Sequence, residues 1–335
     1  MYDLYIPEGY ESRLSLRDTQ RAIKVVKDAF QTGLADALNL DRVTAPIIVT
    51  KKSGINDDLN GVERKVHFTM KEIEGEGEVV QSLAKWKRKA LYDFGYESGE
   101  GIYTDMNAIR RDETPDNIHS VFVDQWDWEK VITREQRTFD YLKETVKKIA
   151  KVLADTKKKL MEKYPALKNG IPEDVFFITS QELLDMYPDK TAKERENIIA
   201  KEHGTVFVMQ IGGVLSNGEK HDGRAPDYDD WSLNGDLIIW NEVLGSAFEV
   251  SSMGIRVDSD SLRAQLIASD AQYREKFEFH RGILDGKYPL TMGGGIGQSR
   301  ICMLILEKAH IGEVHSSIWP DEMRAECDEK GIRLL

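Results

Sequence analysis

Three groups of residues combine charge and backbone freedom in a way that suits a phosphorylated ligand. Gly293-Gly294-Gly295-Ile296-Gly297-Gln298-Ser299-Arg300 runs directly into an apolar stretch ending at Leu306. Glycines let backbone approach a ligand closely, a helix N-terminus offers oriented N–H groups, and Arg300 adds a planar cation that can grip two phosphate oxygens. The same residues also fit a tight strand-to-helix turn with a surface arginine. No Lys-Ser/Thr pair follows and no strand-helix-strand unit surrounds the glycines, so neither a P-loop nor a Rossmann fingerprint is present. Ala108-Ile109-Arg110-Arg111-Asp112-Glu113 lies just ahead of a run ending Gln125-Trp126-Asp127, so a loop arginine could reach a ligand over that sheet. A solvated charge run is the alternative. Ser82-Leu83-Ala84-Lys85-Trp86-Lys87-Arg88-Lys89 concentrates four cations, of which one lysine suffices to hold a carboxylate or phosphate, unless the stretch is only a basic helix face.

The carboxylates form the complementary set. Asp222, Asp227, Asp229 and Asp230 crowd one short loop, Asp236 follows at the start of an extended run, and Glu249 and Ser251 share one face of another. One or two such carboxylates together with a nucleotide's phosphates suit Mg²⁺. A calcium loop fits poorly, because the D-x-D-x-D-G spacing with a terminal Glu is absent. Two phosphate-suited arginines and a cluster of carboxylates over a sheet of mixed residues point to nucleotide-dependent activation.

The elements that must position these groups are legible from periodicity. Leu16, Ile23, Val26, Phe30, Leu34 and Ala37 predict a long amphipathic helix, followed by a short β-like run at 45–49. Residues 51–60 read as a polar loop, 66–70 and 79–83 as strands, and 72–78 as a hairpin turn. A strand over 118–127 puts His119, Val121, Val123, Gln125 and Asp127 on one face. Helices are predicted over 135–164 and 191–201, strands at 206–211, 237–240 and 248–252, a loop over 212–235, and an apolar helix over 296–308. Strands interrupted irregularly by helices, without a βαβ rhythm, predict an α+β domain with a largely antiparallel sheet flanked by helices.

Composition sets the bounds. The 335 residues carry 46 basic and 58 acidic side chains, a net charge of −12, with 41% hydrophobic residues and a mean hydropathy of −0.46. That is enough for a substantial core and argues against intrinsic disorder. No apolar run approaches the roughly 20 residues needed to cross a bilayer, and Met1-Tyr2-Asp3-Leu4-Tyr5 does not read as a secretory signal. With only Cys302 and Cys327, a disulfide framework is improbable and a reducing cytoplasm is the expected location. The acid excess argues against a nucleic-acid surface. Nine lysines between Lys143 and Lys168 against three acids fit a solvated helix face better than an RNA site.

The same motifs resemble a known family. Ile109-Arg110-Arg111-Asp112 resembles motif 2 of the class II aminoacyl-tRNA synthetases, Gly295-Ile296-Gly297-Gln298-Ser299-Arg300 resembles motif 3, and the long helix leading to Ala45-Pro46-Ile47-Ile48 resembles motif 1. SLAKWKR, EGIYTDMNAIR, HSVFVDQWDWE, HDGRAPDYDDW, LNGD, SSMGIRVD and GGGIGQSR resemble the ammonia-dependent asparagine synthetases (aspartate–ammonia ligases) over essentially the whole chain. The resemblance implies a single catalytic domain over 1–335 with a six-to-eight-stranded antiparallel sheet, and a homodimer formed partly through motif 1. It also implies synthesis of asparagine from aspartate, ATP and ammonia through a β-aspartyl-adenylate, with release of AMP and pyrophosphate. Arg110 and Arg300 would contact ATP phosphates, with Ser252 and Gly295 in the nucleotide site, and Asp236 and Glu249 would hold Mg²⁺. Lys87, Gln125, Asp127, Asp229 and Ser251 would form the aspartate pocket. Asp57 would attract ammonium and accept its proton. Two positions depart from the pattern: Gln81 stands where relatives have His, and Ser299 replaces the acid that often precedes the motif 3 arginine in tRNA synthetases.

Rival readings are weaker. A glutamine-dependent synthetase needs a cysteine nucleophile near a mature N-terminus, where this chain has Tyr2. A tRNA synthetase usually adds an anticodon-binding domain of about 100 residues, and the predicted elements occupy nearly the whole chain. A regulatory protein that has lost catalysis is disfavoured because both arginines and the carboxylates are present.

Overall fold

The computed structural model describes residues 4–57, 59 and 63–335; Met1, Tyr2 and Asp3, and Asp58 and Asn60 within the expected 51–60 loop, lie outside the described residues. Helix α1 (Leu16–Leu38) starts where the Ser15 hydroxyl accepts the Asp18 N–H and stops at Asn39, which is left-handed at φ 59°. Its buried face is Thr19, Ala22, Val26, Phe30, Leu34 and Leu38, the spacing of one helical stripe. In chain order follow β1 (Leu40–Arg42), β2 (Ile48–Thr50), β3 (His67–Met70), β4 (Ile73–Val79), α2 (Ala84–Phe94), β5 (Gly101–Ile109) and β6 (Phe122–Val131). Next come α3 (Phe139–Lys163), β7 (Phe176–Thr179), α4 (Ser180–Met186), α5 (Ala192–His203), β8 (Thr205–Met209), β9 (Asp229–Asn241) and β10 (Ser246–Arg256). The chain closes with α6 (Ser259–Ala268), α7 (Glu278–Leu284), β11 (Thr291–Gly297), α8 (Gln298–Ile305) and α9 (Asp321–Glu329).

Eight strands form one sheet in the order β1-β5-β6-β11-β10-β9-β8-β7, and β2-β4-β3 form a second. The large sheet is antiparallel except for the parallel edge pairs β1/β5 and β7/β8, so the α+β expectation holds. Side chains alternate along β6. Trp126 and Trp128, both fully buried, enter the core beneath α1, where the Phe30 and Trp126 ring centroids lie 4.8 Å apart. Gln125, Asp127 and Glu129 take the opposite face. Among the described residues no helix is long and apolar enough to cross a membrane.

Several boundaries differ from the periodicity reading. The glycines of 293–297 are not a turn but the interior of β11, hydrogen-bonded between β6 and β10. A Cβ on Gly293 would stand 2.0 Å from Glu129 Oε2, and one on Gly294 2.6 Å from Met253 Cβ. Close packing on both flanks therefore demands glycine there, and the helix behind it is shorter than the predicted 296–308. The expected hairpin turn at 72–78 is instead β4, the central strand of the small sheet. Its Glu-Gly alternation is a period-2 pattern on a strand exposed over its first three residues and buried over its last three. The run at 79–83 leaves β4 and leads into α2, whose Lys85, Lys87 and Arg88 are buried rather than forming a solvated basic face. Residues 118–121 precede β6, and β9 begins at Asp229, inside the expected 212–235 loop.

Candidate active site

A cavity of about 440 Å³ opens over the polar face of β6, β11 and β10. Of the residues singled out above, Asp57, Lys87, Arg110, Gln125, Asp127, Asp229, Glu249, Ser252, Gly295 and Arg300 line it. Ser251 and Asp236 are not in the lining. The Ser251 hydroxyl donates to the Gly295 carbonyl at 3.0 Å and so ties β10 to β11.

One end of the cavity is built from buried ion pairs. Lys87, carried on the inner face of α2, donates to Asp127 Oδ1 at 2.8 Å and to the Gly294 carbonyl at 3.0 Å. The other Asp127 oxygen is buried and has no partner, which leaves a carboxylate acceptor ready for a ligand N–H. Arg256 bridges Glu129, at 2.8–3.0 Å, and Asp229. Burial pushes the Asp229 carboxyl up against the pull of Arg256. For Glu129 burial acts the same way, but Arg256 and the Thr291 hydroxyl at 2.7 Å prevail and hold it below the usual range.

Arg110 and Arg300 line the other end. Arg300 donates to the Glu249 carbonyl at 3.1 Å and lies 3.6 Å from its carboxylate. Among the described residues Arg110 makes a 4.0 Å ion pair with Glu113, and its buried Nε has no partner there. Both guanidiniums thus keep donors for an anionic ligand. Behind Glu249, on the neighbouring strand, Asp236 pairs with Arg224, while its second oxygen is buried and unpartnered. Burial, with repulsion from Glu249, pushes Asp236 up to about 7 despite Arg224. Arg224 alone does not offset burial and Glu249 there, and a cation between Asp236 and Glu249 is chemically suited to add positive charge. Among the described residues no group of three or more His, Cys, Asp or Glu is arranged to hold a metal by itself.

Asp57 sits deep at a third side. Its carboxylate accepts the Ser82 hydroxyl at 2.7 Å and the Leu59 N–H at 3.1 Å. Burial raises it, Lys85 opposes the shift, and Asp227 adds to it. Asp227 is a buried hub for Lys85, Arg274 and His280 at 2.8–3.0 Å, and the Lys85 charge, the His280 hydrogen bond and Arg274 outweigh burial to hold its carboxyl well below the usual range. Gln81 is fully buried; its amide donates to the Asp57 carbonyl at 3.0 Å.

Sequence reasoning missed Arg256, Glu129 and Arg224. Glu129 was findable, because it lies two residues beyond Asp127 and so on the same strand face. Arg256 ends an otherwise apolar strand, and its need for a buried counter-charge gave no signal in one dimension.

The sequence profile described as aspartate-ammonia ligase matches residues 17–331. A protein of Bacillus cytotoxicus named aspartate–ammonia ligase is 59% identical over 326 residues, 97% of this chain and 100% of its own length. One of Clostridium tetani with the same name is 57% identical over 333 residues, 99% of this chain and 98% of that protein. Among solved structures, the asparaginyl-tRNA synthetase of Entamoeba histolytica in complex with asparaginyl-adenylate superposes with a TM-score of 0.62 at 14% identity, covering 90% of this chain and 66% of that one. The asparaginyl-tRNA synthetase of Pyrococcus horikoshii gives 0.62 at 16%, covering 90% and 70%. At those identities the likeness concerns the fold, that of the class II aminoacyl-tRNA synthetases.

Proposed function

The chain belongs to the aspartate-ammonia ligase family, and from that membership we propose that it makes L-asparagine from L-aspartate, ATP and ammonia in two steps within this one cavity. A β-carboxylate oxygen of aspartate attacks the α-phosphorus of ATP and pyrophosphate leaves. The nitrogen of ammonia then attacks the β-carbonyl carbon of the aspartyl-adenylate, AMP leaves with the former carboxylate oxygen, and one proton is lost. The observation that carries this reading is the polarity of the cavity: paired, buried charges at one end and arginines with donors to spare at the other.

Lys87 pairs with a substrate carboxylate, and the open oxygen of Asp127, with Gln125 and Asp229 alongside, receives its ammonium. Arg110 and Arg300 donate paired hydrogen bonds to phosphate oxygens whose charge shifts during attack. Ser252 and Gly295 line the nucleotide side. Asp236 and Glu249 would hold Mg²⁺, which when bound neutralises phosphate charge. Asp57 attracts ammonium and takes its proton; its raised carboxyl is a better base than a solvent-exposed one.

We place the whole chain in one catalytic domain, working as a homodimer in a reducing cytoplasm. Ile47, Ile48, Phe68 and Ile73 on or beside the small sheet are exposed, an apolar patch that a second copy would cover. Both cysteines are buried thiols.

Isotope transfer tests the adenylate. Aspartate carrying ¹⁸O in its β-carboxylate is expected to leave one ¹⁸O in the phosphate of AMP. Label appearing in ADP or inorganic phosphate, or in neither nucleotide, overturns the proposal.

A further inference from the structure

The residue that departs from motif 3, Ser299, opens a hydrogen-bonded relay in the wall of the cavity. Asp124 of β6 supplies the carboxylate that the sequence position lacks: its Oδ1 accepts the Ser299 N–H at 3.0 Å, and its Oδ2 accepts the Ser299 hydroxyl at 2.8 Å. Lys27 of α1 also donates to that Oδ2, at 3.2 Å. On its other side the Ser299 oxygen lies 2.7 Å from His315 Nδ1, and His315 Nε2 lies 2.9 Å from the Phe122 carbonyl oxygen. The His315 and Phe122 rings stack with centroids 4.6 Å apart. Asp124, Phe122 and His315 all line the cavity.

These contacts need one hydrogen more than neutral imidazole and carboxylate provide. A carbonyl oxygen only accepts, so His315 Nε2 carries a hydrogen. If Nδ1 is bare, the single Ser299 hydroxyl hydrogen serves either His315 or Asp124, and the remaining close contact sets lone pair against lone pair. A hydrogen on Nδ1 resolves this: imidazolium donates to Ser299, and Ser299 donates to Asp124. Placing the hydrogen on Asp124 instead is unfavourable, since both of its oxygens already accept a donor, one of them the Lys27 ammonium.

We propose that Asp124, Ser299 and His315 hold this extra proton together, and that it locks the first turn of α8, with Arg300 beside Ser299, in the orientation that receives the nucleotide. His315 is then a positioning residue acting through Ser299. When the proton leaves, the hydroxyl turns to Nδ1, Asp124 loses one of its two holds on α8, and Arg300 is less well placed. Asp124 lies 3.9 Å from His315 Nδ1 with Lys27 donating to it from behind, and the charged or titratable residues Arg110, Asp112, Glu113, His119 and Arg300 line the same cavity as His315. The inference rests on reading this cavity as the nucleotide site.

Calorimetric titration with Mg·ATP, without aspartate or ammonium, keeps the ionisation of ammonia out of the measurement. Losing one hydrogen bond of about 1 kcal/mol corresponds to a roughly fivefold change. Wild-type affinity is expected to fall about that much from mildly acid to mildly alkaline solution relative to His315→Gln and Ser299→Ala. In the wild-type protein, ¹⁵N spectra of the imidazoles, with His315 assigned by its absence from His315→Gln, are expected to show both His315 nitrogens protonated at the acid end. Parallel pH courses in wild type and both variants, or a single protonated His315 nitrogen throughout, overturn the relay while leaving the nucleotide site in place. Absence of ATP binding by the wild type at every pH overturns the reading of the cavity as well.

Discussion

Replacing Arg256 by methionine tests the charge economy of the cavity. Arg256 is 3% exposed, and it satisfies Glu129 and Asp229, which are 0% and 2% exposed, through three nitrogens. Methionine fills much of the volume but leaves two carboxylates in low dielectric without their main partner, the Thr291 hydroxyl and the more distant Lys87 remaining for Glu129 and Arg224 for Asp229. Removing one partner of a buried ion pair costs about 3–5 kcal/mol, and with two carboxylates stranded the upper part of that range applies near neutral pH. The sign of the pH dependence follows. In the wild type Glu129 is held below its ordinary value, so its contribution is present above the unfolded-state value and is lost as pH falls through the folded one. In the variant the main opposition to burial is gone, with only Lys87 and the Thr291 hydroxyl left against it at Glu129 and Arg224 at Asp229, so both carboxyls rise. Their contribution is then present below about pH 4, the unfolded-state value, and is lost as pH rises. The gap between the proteins must widen from acid to neutral pH. Urea unfolding followed by tryptophan fluorescence at equal protein concentrations, near pH 5 and near pH 7.5, measures it. A loss below about 1 kcal/mol at both values, or a larger loss at the acid one, would mean that Arg256 does not neutralise these carboxylates.

Three further expectations concern other sides of the cavity. Asp57→Asn removes a base but little volume, so kcat/KM for ammonium is expected to fall by roughly a hundredfold while ¹⁸O-traced adenylate formation stays normal; an unchanged value at limiting ammonium contradicts its role. Because Asp236 is raised to about 7, its contribution to folding is present below its unfolded-state value and fades as pH rises through about 7. Mg²⁺ is therefore expected to raise Tm more above that pH than below it, and Asp236→Asn to abolish the difference; an equal Mg²⁺ response in the variant counts against the site. Ile48→Asp is expected to shift sedimentation toward the monomer, and a wild type that sediments as a monomer removes the dimer proposal.

What could be read in the sequence divides along a physical line. Helices α1 and α3 announced themselves because their buried stripes repeat at helical spacing over more than twenty residues. Gln125 and Asp127 were legible as one strand face because a period of two is local information. The glycines of β11 were misplaced because what forbids a side chain there, Glu129 on one flank and Met253 on the other, comes from distant parts of the chain. For Lys85, Lys87 and Arg88 a solvated face stayed open as a reading for the same reason: among their counter-charges and carbonyl partners, Asp227, Asp127, Val257 and Pro289 lie 40 or more residues away. Arg110, Asp127 and Arg300 come together only through the pairing of β5, β6 and β11, and resemblance to a family, not periodicity, drew them together beforehand.

The most direct test is a single incubation of the pure protein with aspartate, ATP, Mg²⁺ and ¹⁵N-ammonium, with products resolved by mass spectrometry and nucleotide chromatography. The expected products are asparagine carrying ¹⁵N in its side-chain amide, formed in equal amount with AMP and pyrophosphate. ADP and phosphate as the nucleotide products, or asparagine formed only when glutamine or tRNA is added, would contradict it.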